Sequence, residues 1–261
     1  MICMSRIGVY DSGVGGLTVL NECLALPHTF LYLGDSARAP YGTKGKETIT
    51  RYALECGEFL KSKEIEYLVV ACNTVSSFSL LELEKTLQIP VIGTIKPALS
   101  VVRTHKDLKR IGIIGTEATI RGGAYERGLL EIDATLKIHK KACPLFVPLV
   151  EHGFLEGEIP QKIIEHYLKE LKGNVDALIL GCTHYPLLKC VIKEYLGSDV
   201  LLIDCAVEIG RTLKKDLADT PTTERELRFF VTDDTERFSF HSERFLVGQG
   251  VRNFLIEQVV L

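Results

Sequence analysis

The sequence predicts an α/β protein: two similar α/β domains with mainly parallel sheets facing a shared cleft, related by a pseudo-twofold. Three observations carry this expectation. Short apolar runs of strand character alternate with amphipathic segments of helical period, the pattern of a parallel sheet with helical crossovers. The order of landmarks recurs: "RIGVYDSGVGG" (6–16) aligns with "RIGIIGTEATIRGG" (110–123) at an offset of 104, and "YLVVACNTVSS" (67–77) answers "ALILGCTHYPLL" (177–188) at 110. With 261 residues and 46% hydrophobic content, the chain can fill one large core or two modest ones. The first domain is expected at 1–98 plus 210–261, carrying Cys72, and the second at 99–209, carrying Cys182.

In chain order, strand-like runs fall at "RIGVY" (6–10), "FLYLG" (30–34), "YLVVA" (67–71), "PVIG" (90–93), "RIGIIG" (110–115), "LFVPLV" (145–150), "ALILG" (177–181) and "VLLID" (200–204). Helical spacing appears between them, as in Leu80, Leu83 and Leu87, in Ile163, Tyr167 and Leu171, and in Leu187, Val191 and Tyr195. "DSARAPYG" (35–42) matches "LFVPLVEHG" (145–153) loosely through Pro40 and Pro148. Ligands in such folds bind outside the carboxyl ends of the strands, so those ends are where chemistry is sought.

Composition narrows the function. A formal net charge of -3 gives no basic stripe for nucleic acid, and "KDLKR" (106–110) reads as a solvated surface. The longest apolar runs are too short to cross a bilayer, and the opening "MICMSRIGVYDSG" lacks a charged n-region and long h-region, so a cytoplasmic protein without a membrane partner is expected. Of eight cysteines, at 3, 23, 56, 72, 143, 182, 190 and 205, no two stand in CxxC spacing, which argues against zinc ribbons and thioredoxin-type motifs. Most are expected to be small buried hydrophobes. "DSGVGG" is neither GxGxxG nor a Walker motif, and is weak as a nucleotide signal.

Two cysteines stand apart. Cys72 and Cys182 each follow an apolar strand where a helix begins, a position whose free N–H groups favour thiolate. Asn73, Thr74, Ser76 and Ser77 follow the first; Thr183 and His184 follow the second. Asp11, Glu151 and His184 also fall at strand ends, where a titratable group can serve a ligand. His28, His105, His139, His166 and His241 lack such neighbours and read as structural or surface groups.

Together "YDSGVGGLTVL", "GDSARAPYGTK", "VVACNTVSS", "PVIGTIKPA", "GTEATI", "FVPLVEHG" and "LGCTHYPLL" resemble the glutamate racemase family, cofactor-independent enzymes that make D-glutamate for bacterial peptidoglycan. The resemblance runs from about residue 6 to residue 210 and continues weakly in "RFFVTDDTERF". It implies Cys72 and Cys182 as the catalytic thiols, and substrate contacts from Asp11, Ser12, Pro40, Tyr41, Gly42, Asn73, Thr74, Thr116, Thr183 and His184. It implies glutamate as the small-molecule partner and leaves a homodimer open. The chain departs from the family at Val75, where Ala is more usual, and at Lys96, where an acidic residue is common.

The chemistry suits those residue types. Inverting an α-carbon needs a base on one face and an acid on the other, so two thiols across a cleft suffice if one is ionised. Asp11 is placed to serve Cys72, and Glu151 with His184 to serve Cys182. No lysine is singled out for a Schiff base and no metal cluster is evident, so neither pyridoxal phosphate nor a metal is expected. Within the fold the rival is an aspartate racemase or another thiol-dependent relative; two cysteines argue against a single-thiol decarboxylase. From another class, the rival is a two-domain protein that grips an amino acid without chemistry.

Overall fold

The computed structural model describes residues 6–217, 226–246 and 255–261; Cys3 lies outside them. Among these residues ten strands occur: β1 Arg6–Asp11, β2 Thr29–Gly34, β3 Tyr67–Val70, β4 Val91–Gly93, β5 Arg110–Gly115, β6 Lys137–Ala142, β7 Ala177–Gly181, β8 Leu201–Asp204, β9 Leu227–Val231 and β10 Leu255–Gln258. They form two parallel sheets, ordered β10-β9-β2-β1-β3-β4 and β6-β5-β7-β8. The order β2-β1-β3-β4 in the first is repeated as β6-β5-β7-β8 in the second. The segments that align in the sequence therefore hold equivalent places: β1 with β5, and β3 with β7.

One expected strand is corrected. "LFVPLV" is not extended; Phe146–Glu151 is a short helix. Phe146, Leu149 and Val150 are its buried residues, at i, i+3 and i+4, and Pro148 sits in the first turn, where its missing N–H costs nothing. The strand of that region is instead "KIHKKA", half exposed along its length at the edge of the sheet. An edge strand rich in lysine is protected against pairing with other chains, and it carries no apolar run by which to be noticed. Strands β9 and β10, also beyond the runs picked out above, extend the first sheet at its other edge.

Both faces of each sheet are covered, and side chains alternate between them. Leu178 and Leu180 join Ile7, Val9 and Tyr32 in a cluster that runs continuously from one sheet to the other. Ala177 and Ile179 join Ile111, Ile113 and Ile203 on the far face of the second sheet. Leu68 and Val70 join Tyr10, Ile49 and Leu83 on the far face of the first. The shared cluster holds the carboxyl ends of the two sheets against one another. Six of the seven described cysteines are buried, as small hydrophobes would be; Cys190 is exposed. No helix among the described residues is long and apolar enough to cross a membrane.

At the join, the turn after β1 packs against the loop after β7. The Thr18 hydroxyl donates to Thr183 O at 3.0 Å. A Cβ on Gly15 would lie 2.4 Å from Thr183 Oγ1 and 2.5 Å from His184 Nδ1, so only a glycine permits this approach. Gly15→Ala is expected to destabilise the protein by about 1–3 kcal/mol, the cost of overpacking a close contact. Denaturant unfolding checks this, and wild-type stability would refute the close approach.

Candidate active site

Four strand ends meet at the join. β1 ends in Asp11 and β5 leads into Thr116, which caps the helix Glu117–Gly122 by accepting from Thr119 N at 3.2 Å. β3 ends beside Cys72, the N-cap of the helix Asn73–Phe78. β7 leads into Cys182, Thr183 and His184, then the 3-10 turn Tyr185–Leu188, and only then the helix Lys189–Leu196. The expectation that both thiols sit at an α-helix start therefore holds for Cys72 alone.

Around the ends lies a cavity of about 400 Å³. Of the residues named from the sequence, Ser12, Pro40, Tyr41, Gly42, Cys72, Asn73, Thr74, Thr116, Glu151, Cys182, Thr183 and His184 line it. Asp11 does not. It lies behind the β1 turn, 1% exposed, accepting from Gly13 N at 3.0 Å. Burial raises its carboxyl above the ordinary carboxylate value, against the opposing pull of the His184 charge and of the Gly16, Gly13 and Ser12 N–H groups.

The two thiols have unlike surroundings. Cys72 Sγ is 3.5 Å from Ser12 Oγ, and its carbonyl accepts from Ser76 N. Burial, with the neighbouring Asp11 charge, pushes its thiol up to about 12 and outweighs the Ser12 hydroxyl and the Val75 N–H. A helix N-terminus was expected to favour thiolate here, but desolvation wins, because six residues of helix offset little of the cost of burying a charge. Cys182 Sγ is 3.8 Å from His184 Nδ1, and His184 Nε2 is 3.1 Å from Glu151 Oε1. Burial opposes charge on the imidazole, yet Cys182 and Glu151 together raise it from 6.5 to about 10. Glu151 is held below its usual value, because the hydrogen bond and charge of His184 outweigh burial. One wall thus carries a protonated thiol, the other a sulfur beside an imidazolium.

Glu151 does this from a helix terminus, not from the strand end expected of it. The walls are also cross-linked. Thr74 Oγ1 lies 3.0 Å from Thr116 Oγ1 and 3.2 Å from Thr119 Oγ1, joining the ends of β3 and β5. A Cβ on Gly42 would fall 2.7 Å from Thr116 Cβ, which brings the Pro40–Tyr41–Gly42 loop onto the same threonines. Tyr41 is anchored from behind by Asp35, itself fully buried and receiving Arg38 Nε at 2.6 Å and Thr232 Oγ1 at 2.8 Å. The Asn73 side chain is oriented by Tyr125, whose hydroxyl donates to Oδ1 at 2.5 Å; its buried Nδ2 has no hydrogen-bond partner among the described residues.

The sequence reading missed the C-terminal contribution. Asp233, Asp234, Arg237, Phe238 and His241 line the cavity from the strand-to-helix turn after β9 and from the helix Thr235–Phe245. His241, read as a structural or surface group, faces the same space as Glu151. The available signal was "RFFVTDDTERF", an apolar run followed by an Asp that caps a helix: Asp234 accepts from Glu236 N and Arg237 N. Among the described residues no group of three or more His, Cys, Asp or Glu is placed to hold a metal ion.

Known proteins share this sequence and this fold. The family model described as Asp/Glu/Hydantoin racemase matches residues 18–209. The glutamate racemase of Aquifex aeolicus is 50% identical over 256 residues, covering 97% of this chain and 98% of that protein. Among solved structures, a glutamate racemase isoform from Bacillus anthracis superposes with a TM-score of 0.90 at 38% identity, covering 98% of each chain. The glutamate racemase of Francisella tularensis in complex with D-glutamate gives 0.89 at 34% identity, covering 98% of this chain and 97% of that one. The chain belongs to the glutamate racemases of the Asp/Glu/hydantoin racemase family.

Proposed function

We propose that the protein interconverts L-glutamate and D-glutamate by moving the α-proton between two thiols, with no cofactor. The observation that carries this is that Cys72 and Cys182, from equivalent strand ends of two separate sheets, line one cavity. In one direction the Cys182 thiolate takes the proton from Cα, the C–H electron pair stays on carbon, and the Cys72 thiol gives its proton to the opposite face. Cys182 is then the thiol and Cys72 the thiolate, ready for the reverse reaction. His184, backed by Glu151, steadies charge on Cys182; Asp11 and Ser12 serve Cys72.

The α-proton is far less acidic than a thiol, so the carboxylate that shares the developing charge must be held by donors. Asn73 Nδ2 and the Thr74 and Thr183 hydroxyls are assigned to this, and Tyr41, Gly42 and Thr116 to the rest of the substrate. Tyr125 sets which end of the Asn73 amide is available. Tyr125→Phe is therefore expected to raise KM for glutamate about fivefold, the worth of one hydrogen bond, with a smaller effect on kcat. An unchanged KM would remove Asn73 from the assignment.

The test of the reading is racemisation of L-glutamate by purified protein with no cofactor added. Faster turnover of L-aspartate would transfer the reading to an aspartate racemase, and binding without interconversion to an amino-acid-binding protein. A cytoplasmic setting, where D-glutamate would feed peptidoglycan synthesis, is supported by seven described cysteines that are all unpaired thiols.

A further inference from the structure

The Cys182 wall is braced by a segment that the duplicated halves do not share. Strands β9 and β10 and the helix Thr235–Phe245 lie beyond the four-strand order common to both sheets. At the end of that helix Arg244 reaches to the helix Phe146–Glu151, which follows β6 of the other sheet. Its Nη1 donates to Glu151 O at 2.8 Å and to Val150 O at 3.0 Å. The last carbonyls of a helix lack intrahelical donors and carry partial negative charge, so a guanidinium there satisfies both needs. The chain then turns tightly over the same group: a Cβ on Gly153, whose φ is +80°, would lie 3.0 Å from Arg244 Nη2. The next residue, Phe245, is 3% exposed and sets its ring perpendicular to that of His184, with centroids 5.6 Å apart.

The geometry points to Arg244 and Phe245 as positioning residues for proton transfer at Cys182. Arg244 fixes the backbone that carries Glu151, Phe245 fixes the plane of the His184 ring, and the pair aligns Glu151, His184 and Cys182. Neither residue needs to touch substrate. This rests on the racemase reading, and it adds that the C-terminal segment governs one of the two proton transfers selectively.

Racemisation through a carbanion crosses two barriers, one at each thiol. With an equilibrium constant of one, kcat/KM must fall equally in both directions whichever barrier is raised, so rates alone cannot assign the fault. The α-deuterium isotope effect can. A label on the substrate is felt only in its abstraction, so raising the Cys182 barrier enlarges the effect from the enantiomer that Cys182 deprotonates and shrinks it from the other. By the family resemblance that enantiomer is L-glutamate.

The experiment measures both isotope effects on kcat/KM for wild type, Arg244→Ala, Arg244→Lys, Phe245→Leu and His184→Asn, with Tm for each. Arg244→Ala is expected to lose about tenfold in rate, as a displaced catalytic group does. Its two isotope effects should move in opposite senses, and in the same senses as those of His184→Asn. Arg244→Lys should recover part of the loss, and Phe245→Leu should shift the effects in the same way. If Arg244→Ala does not fold, the last two variants carry the same readout. Wild-type rates in Arg244→Ala, or losses that follow Tm with both isotope effects unmoved, would overturn the inference. A wild-type protein that does not racemise glutamate would instead overturn the function on which it rests.

Discussion

Cys72→Ser and Cys182→Ser are each expected to lower racemisation by roughly 10²–10⁴-fold, the usual contribution of a positioned proton-transfer group. A hydroxyl is close to a thiol in size but far less acidic, so neither abstraction by serine nor its recharging as an acid can keep pace. Losses in kcat/KM must be equal from L- and D-glutamate, since the equilibrium is fixed. What differs is the half-reaction that survives. With Cys72 replaced, Cys182 can still remove a proton, so exchange of the α-proton with solvent deuterium should persist from one enantiomer only, and from the other in Cys182→Ser. The fold should tolerate both changes, because each sulfur borders the cavity with a polar group beside it: Ser12 is 3.5 Å from Cys72, and His184 is 3.8 Å from Cys182. Cys143 provides the contrast. It is fully buried in the shared apolar cluster, so Cys143→Ser should lower Tm and leave kcat unchanged. Assay of both directions with deuterium exchange checks these expectations, and wild-type racemisation in either catalytic variant would sink the two-thiol scheme.

How far the sequence could be read follows from where each signal arises. Interior parallel strands such as β1, β3, β5 and β7 are buried on both faces, so they stand out as apolar runs, and the residues just beyond them are located with them. That is why Asp11, Cys72 and Cys182 are legible at strand ends, whereas Thr116 enters only through the family resemblance. The edge strand β6 is half exposed and lysine-rich, so its run is invisible and the neighbouring apolar helix was taken for it. Glu151 was found for the wrong reason as a result. Arg237, His241 and Arg244 come from a helix distant in sequence from the other site residues, marked only by the weak signal "RFFVTDDTERF"; tertiary packing alone brings Arg237 and His241 to the cavity and Arg244 to the end of the helix Phe146–Glu151. The charge state of Cys72 was equally hidden. A strand-to-helix turn suggests thiolate, but how deeply Cys72 is buried, and that Asp11 stands behind it, are tertiary facts.

His184→Asn is expected to slow racemisation by about 10²-fold or more, and Glu151→Gln to reveal why through pH. The imidazole is raised from 6.5 to about 10 because the Cys182 sulfur and the Glu151 carboxylate outweigh its burial. It is therefore cationic at neutral pH. Its contribution to stability is fully present below the unfolded value near 6.5 and is lost as pH rises through about 10. If the cation steadies charge on Cys182, kcat/KM should fall along an alkaline limb near the same pH. Glu151→Gln keeps an oxygen for the 3.1 Å hydrogen bond but removes the charge, which is one of the causes of the elevation. The limb should consequently move to lower pH, and His184→Asn should abolish it. The amino group of the substrate titrates in the same alkaline range, but identically for each variant, so the displacement between profiles belongs to the enzyme. Superimposable alkaline limbs for wild type and Glu151→Gln would mean that His184 acts as a neutral hydrogen-bonding group, and the charge assigned to the Cys182 wall would have to be withdrawn.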